Sequence, residues 1–89
     1  MKESTFTKYS ELQELINTTN NTTTVYIIRQ GLDIERGGLL QEISYYEKLY
    51  NPTPLDIEDY KNAKIDHDII VNLIIECNKK YKLLRKNIS

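Results

Sequence analysis

The chain has no tryptophan, and only one phenylalanine, one methionine, one cysteine and one histidine among 89 residues. Proline occurs twice, glycine three times and alanine once. Each shortage excludes something. A lone cysteine, Cys77, leaves no disulfide within the chain. A lone histidine, His67, sits between Asp66 and Asp68, and three successive side chains on a helix diverge too far to share a metal. The residues one helical turn away, Ala63 and Val71, carry no ligand atoms, so neither a metal centre nor a general base with a second partner is legible. Gly31, Gly37 and Gly38 are spaced G-x5-G-G with no lysine and serine or threonine behind them, which is not a phosphate loop. They read as a bend that lets a helix pass close to a neighbour.

Long apolar runs are also missing. The most apolar stretch, Ile69 to Ile75, is far short of the ~20 residues that span a bilayer. Met1-Lys2-Glu3-Ser4-Thr5 leads into a polar pattern and not into a signal sequence, which sets the expectation of a cytoplasmic protein that does not enter the membrane. The Asn-x-Thr sequons that begin at Asn17 and Asn20 carry little weight in that setting. Paired acids such as Glu58/Asp59 and Asp66/Asp68 need a cleft to shift their titration, and a few short helices offer none. The expectation is a protein that is not an enzyme and takes no cofactor and no metal.

What is present is one small domain, 39% apolar and 28% charged, with a formal net charge of −1. That size buries only a modest core, so partners or oligomers are common. The charge is unevenly placed. Residues 79–89 hold five cations and no acid, while the remaining chain carries seven cations against 13 acids, a balance of −6. Ile, Asn, Lys and Tyr are abundant against one Ala and three Arg, a bias toward AT-rich codons that fits a phage or mobile-element gene expressed in host cytoplasm.

The periodicity predicts an all-α fold, a long antiparallel helical hairpin plus a short N-terminal helix. Phe6, Tyr9, Leu12, Leu15 and Ile16 repeat at helical steps over 5–17. The Asn/Thr run at 17–23 reads as a loop, because these side chains compete for their own backbone. Thr24-Val25-Tyr26-Ile27-Ile28 suits a strand near 24–30 by composition, but Val25, Ile28, Leu32, Leu39, Ile43, Tyr46 and Tyr50 continue at helical steps, and no second strand is there to pair. Helix is the preferred reading, with a kink or break near 31–38 at the glycines. Asn51-Pro52-Thr53-Pro54 ends it: Thr53 suits an N-cap and Pro54 the first helical position. From Pro54 to about Lys86, Tyr60, His67, Ile74, Tyr81 and Ile88 form one column at spacing seven, and Ala63, Ile70, Cys77 and Leu84 a second. On that seam His67 is a buried or half-buried polar register residue, and Cys77 a small buried thiol.

In such a hairpin the first helix covers the end remote from the turn. The turn end, with Tyr45, Tyr46, Leu49, Tyr50, Leu55, Ile57 and Tyr60, is then the least covered and is the candidate partner-binding surface. The competing reading is that these tyrosines close the end against each other. Ile65, Ile69 and Leu73 lie off the seam and mark a candidate homodimer or oligomer interface. Lys79, Lys82 and Lys86 share one face and are a candidate anion-binding set, although they also complement the helix dipole. The function expected is a small protein-binding regulator or inhibitor that occupies the surface of a larger host or viral protein. Two alternatives stay open: a nucleic-acid-associated regulator using the basic tail, and a helical self-assembling structural or assembly factor. Nucleic acid is the less favoured partner, because five cations beside an acidic body make a weak footprint.

Overall fold

A computed structural model describes residues 3–88, with side chains over 9–86. Three helices follow in order: α1 (Glu3–Thr18), α2 (Thr22–Glu47) and α3 (Pro54–Ile88). Among the described residues no strand is present. The molecule measures 56 × 23 × 14 Å, and its radius of gyration is 15.6 Å, against about 12 Å for a compact domain of this length. The long dimension is that of α3, whose 35 residues span about 52 Å.

The α1–α2 connection is shorter than the Asn/Thr run suggests. Thr18 Oγ1 donates to the Glu14 carbonyl at 2.9 Å and Thr19 N–H to Leu15 at 3.0 Å, closing α1. Asn21 then caps α2: its backbone is extended, and its Oδ1 accepts from Thr23 N–H at 2.9 Å and Thr24 N–H at 3.3 Å. Threonines are poor helix formers in the middle of a helix, but with their amides satisfied by the cap they serve as a first turn. The loop therefore covers 19–21 and not 17–23.

Residues 24–31 are helical, so the strand reading is withdrawn. Val25 and Leu32, seven apart, are buried in the core, and Ile28 and Leu39 pack against it. The expected break at 31–38 is absent: α2 is continuous through Gly31, Gly37 and Gly38, none of which has positive φ. Each glycine weakens a helix by about 1 kcal/mol relative to alanine. Burial of the opposite face outweighs that loss, since tertiary packing supplies most helix stability in proteins. A Cβ at any of the three meets nothing within 4 Å. Gly37→Ala is therefore expected to raise the unfolding free energy by about 1 kcal/mol, and thermal unfolding followed by circular dichroism checks it.

The end of α2 comes earlier than the periodicity implies. Lys48 N–H reaches Tyr45 O at 3.2 Å and Leu49 N–H reaches Tyr46 O at 3.3 Å. These bonds span three residues and tighten the last turn. The chain must reverse before Pro52, so Tyr50 leaves the helix. The start of α3 is as the sequence reads. Thr53 Oγ1 accepts from Asp56 N–H at 3.1 Å, and Thr53 N–H donates to Asp56 Oδ2 at 2.9 Å, a reciprocal cap with Pro54 at the first helical position.

The core draws on all three helices: Tyr9 and Ile16 from α1, Val25 and Leu32 from α2, and Ile70, Leu73, Cys77 and Leu84 from α3. One column of the α3 seam, Ala63, Ile70, Cys77 and Leu84, is wholly buried. The other, Tyr60, His67, Ile74 and Tyr81, is half-buried. Tyr60 of that column faces α2: its hydroxyl donates to Glu47 at 3.0 Å. On the other flank Lys80 Nζ donates to the Asn17 carbonyl of α1 at 2.9 Å. So α3 has two neighbours, and its buried sector is wider than a two-helix seam. That corrects the expected oligomer stripe. Leu73 is 2% exposed inside the chain, Ile69 packs against the core, and of the three only Ile65 is exposed.

Helix α1 runs parallel to the distal half of α3. Its C-terminal end meets Lys80, and Tyr9, near its start, hydrogen-bonds Glu35 and lies within the field of Asp66. No core-cluster residue comes from 40–68, so the turn end of the hairpin lies beyond the three-helix core.

The Tyr9 hydroxyl titrates at about 12, pushed up from 10.0 first by burial and then by Glu35 and Asp66. A phenol whose folded pKa is raised contributes stability fully present below pH 10.0 and lost as pH climbs toward about 12. Tyr9→Phe is expected to flatten the alkaline limb of a stability-against-pH curve in that window, while losing about 1 kcal/mol at neutral pH with the Glu35 hydrogen bond.

Candidate functional site

The seven turn-end residues do come together at one end of the molecule, but not in one role. Tyr45 and Tyr46 meet edge to face at a centroid distance of 5.3 Å, and Tyr46 meets Tyr60 in the same manner at 6.5 Å. Such pairs are favoured by the ring quadrupole. The Tyr60 hydroxyl reaches back to Glu47, and Lys64 Nζ lies 5.1 Å over the Tyr60 ring. Tyr46 and Tyr60 thus close the hairpin against each other, as the competing reading has it, and Leu49 is half-buried with them. The hydroxyl of Tyr46 is raised from 10.0 by partial desolvation and by Asp59, Glu42 and Asp56, so it stays a neutral donor at physiological pH.

The remaining residues are unsupported by other side chains of the core. Tyr50 is 94% exposed, Leu55 66% and Tyr45 60%, with Ile57 also exposed. Beside them runs a groove of about 730 Å³, lined by Tyr46, Pro52, Ile57 and Tyr60 and rimmed by Glu47, Asp56, Lys61 and Lys64. The two acids are engaged inside the chain, Glu47 by Tyr60 and Asp56 by the Thr53 cap. The two lysines are exposed at the rim. Sequence reading missed Lys61 and Lys64, because their relevance depends on which side of α3 borders the groove.

The other candidates are dispersed. His67 is half-buried, with Nδ1 4.0 Å from Asp68 and Nε2 buried without a hydrogen-bond partner. Among the described residues no group of three or more His, Cys, Asp and Glu side chains could hold a metal ion. Cys77 is fully buried, and its thiol is raised by desolvation, against a lowering by Arg29, so it resists ionisation. Lys79, Lys82 and Lys86 are exposed on one outer side of the last turns of α3. Lys80 is committed to α1, and the Arg85 guanidinium lies 5.7 Å from the centre of the Tyr81 ring. A second, smaller cleft of about 210 Å³ lies between α2 and α3 at the distal end, lined by Val25, Tyr26, Arg29, Asn78 and Tyr81. Among the described residues no helix is long and apolar enough to cross a membrane.

Comparison with protein-family models, with curated proteins and with solved structures finds no match to this chain. The chemistry of its own residues is what a functional reading has to stand on.

Proposed function

We propose that this chain is a small non-enzymatic regulator that binds a larger protein through the turn end of its hairpin. The observation that carries the reading is the groove bounded by Tyr46, Ile57 and Tyr60, flanked by exposed Tyr50 and Leu55. Interface cores favour aromatic and aliphatic anchors of this kind, held on a rigid support. Here the support is the capped start of α3 together with the edge-to-face tyrosines.

The rim defines the partner's chemistry. Glu47 and Asp56 keep their charge but each accepts a hydrogen bond from within the chain, so Lys61 and Lys64 are the rim groups that can donate to an incoming segment. The fitting occupant is a segment of the larger protein with an apolar anchor next to a carboxylate. Charge pairing at a rim acts mainly on encounter and specificity, and the anchor supplies the affinity. Selection of displayed peptides on the immobilised protein tests this. Selected sequences should join an aromatic or aliphatic residue to a neighbouring Asp or Glu, and should be lost on Lys61→Glu/Lys64→Glu. Peptides without an acidic preference, or no enrichment at all, would count against it.

A further inference from the structure

The glycines of α2 are unexplained by the monomer. None has the positive φ that requires glycine, and none faces another element, since a Cβ at each meets open space. Each weakens the helix that carries it. Gly31 and Gly38 also fall on the same face as Ile27 and Ile34, because positions 27, 31, 34 and 38 stay within about 60° of one another at 100° per residue. The face lies on the side opposite the buried Val25 and Leu32. Ile27 is 61% exposed and Ile34 76%, and both are among the most exposed aliphatic side chains of the chain. Gln41 continues the stripe, which holds no charged residue although 28% of the chain is charged.

We infer that this face of α2 is the contact between two copies of the chain, packed antiparallel about a two-fold axis midway between residues 32 and 33. The stripe is complementary to itself in that register and needs no other surface. The axis sets Ile27 against Gly38 of the second copy, and Gly31 against Ile34 of the second copy. Every isoleucine knob then meets a glycine hole, and each contact occurs twice, as a two-fold interface demands. Glycine lets a backbone approach closely, which accounts for its presence in mid-helix.

Charge agrees with the antiparallel direction. The first turn of α2 carries no acidic residue, so the positive end of its dipole lacks a counter-charge from its own chain. In this register the exposed Glu42 of one copy lies beside Thr24 in the first turn of the other, where a carboxylate is favoured. The stripe from Ile27 to Gln41 runs about 21 Å along α2, so the interface is a modest one, smaller than most stable specific interfaces. The contact lies away from Tyr50, Leu55, Lys61 and Lys64, so it neither depends on the proposed partner groove nor blocks it.

Sedimentation equilibrium from about 5 µM to about 1 mM tests the inference at concentrations where a modest interface saturates. The wild-type mass is expected to rise toward twice 10.5 kDa. Ile34→Glu should weaken dimerisation at least a hundredfold and leave helicity unchanged, because residue 34 is exposed in the monomer. Gly31→Leu is the second variant. It has open space around it, so the monomer folds, but its side chain fills the hole that receives Ile34 of the second copy. A wild type that stays monomeric throughout, or a dimer that survives either substitution, overturns the proposal. Direction is read from spin labels at Lys48→Cys in a Cys77→Ala background. Antiparallel packing places them roughly 45 Å apart, from the rise per residue, and a separation near ~15 Å would overturn the antiparallel register.

Discussion

Ile70→Ala is expected to lower the unfolding free energy by about 3 kcal/mol, as measured by urea denaturation followed at 222 nm. Ile70 is 0% exposed and lies at the centre of α3, in the cluster to which all three helices contribute. The cost combines lost apolar transfer with a cavity that long, rigid helices do not collapse to fill. It is large against the total, since a chain of this length has a net stability of about 4–13 kcal/mol. Two comparisons make the test specific. Leu73→Ala should cost a similar amount, because Leu73 is buried within the same chain, in the column of Asp66 and Lys80 that faces α1. Ile65→Ala, at 43% exposure, should cost less than about 1 kcal/mol. A Leu73 cost that appeared only at high protein concentration would mean that a second copy, and not α1, covers that face.

The largest functional effect is expected at the turn end. Tyr50→Ala/Leu55→Ala removes two exposed anchors, 94% and 66% exposed, and should weaken capture of the partner segment by about a hundredfold or more, since hot-spot residues are worth ~2 kcal/mol or more each. The fold should be unaffected, because neither side chain supports the core. Tyr46→Ala is a poorer probe, since Tyr46 packs edge to face with both Tyr45 and Tyr60 and its loss loosens the end itself. Lys61→Glu/Lys64→Glu should instead slow association most, with an effect that fades as salt is raised. Titration of a selected acidic peptide against wild type and both variants checks these expectations. If all three bind alike, the groove is not the site.

Much of the fold was legible because it depends on short windows of chain. The N-cap at Thr53 with Pro54 behind it follows from residue types alone, and its hydrogen bond from Asp56 N–H is local to one turn. The column Ala63, Ile70, Cys77 and Leu84 follows from a spacing of seven, and all four are buried as that spacing requires. The less covered turn end follows from helix lengths and from the tether between α1 and α2. The pooling of tyrosines there was legible too, but their division between support and exposed surface was not. Tyr46 and Tyr60 meet edge to face because α2 and α3 meet at that level, whereas Tyr50 is left outside by the early end of α2.

The sequence by itself determined that there are three helices, where α3 begins and which of its faces is buried most deeply. These are consequences of hydrogen bonds and side-chain periodicity within a few turns. Only the tertiary structure decided that α2 runs unbroken through Gly31, Gly37 and Gly38, because burial of Val25 and Leu32 on its other face outweighs a propensity that local reasoning sees alone. It also decided that Leu73 is interior, while Ile27 and Ile34 face outward. Whether an apolar side chain off the main seam is covered depends on how many neighbours its helix has. That number is set by how α1 folds back against α3, and it is not contained in the period of either helix.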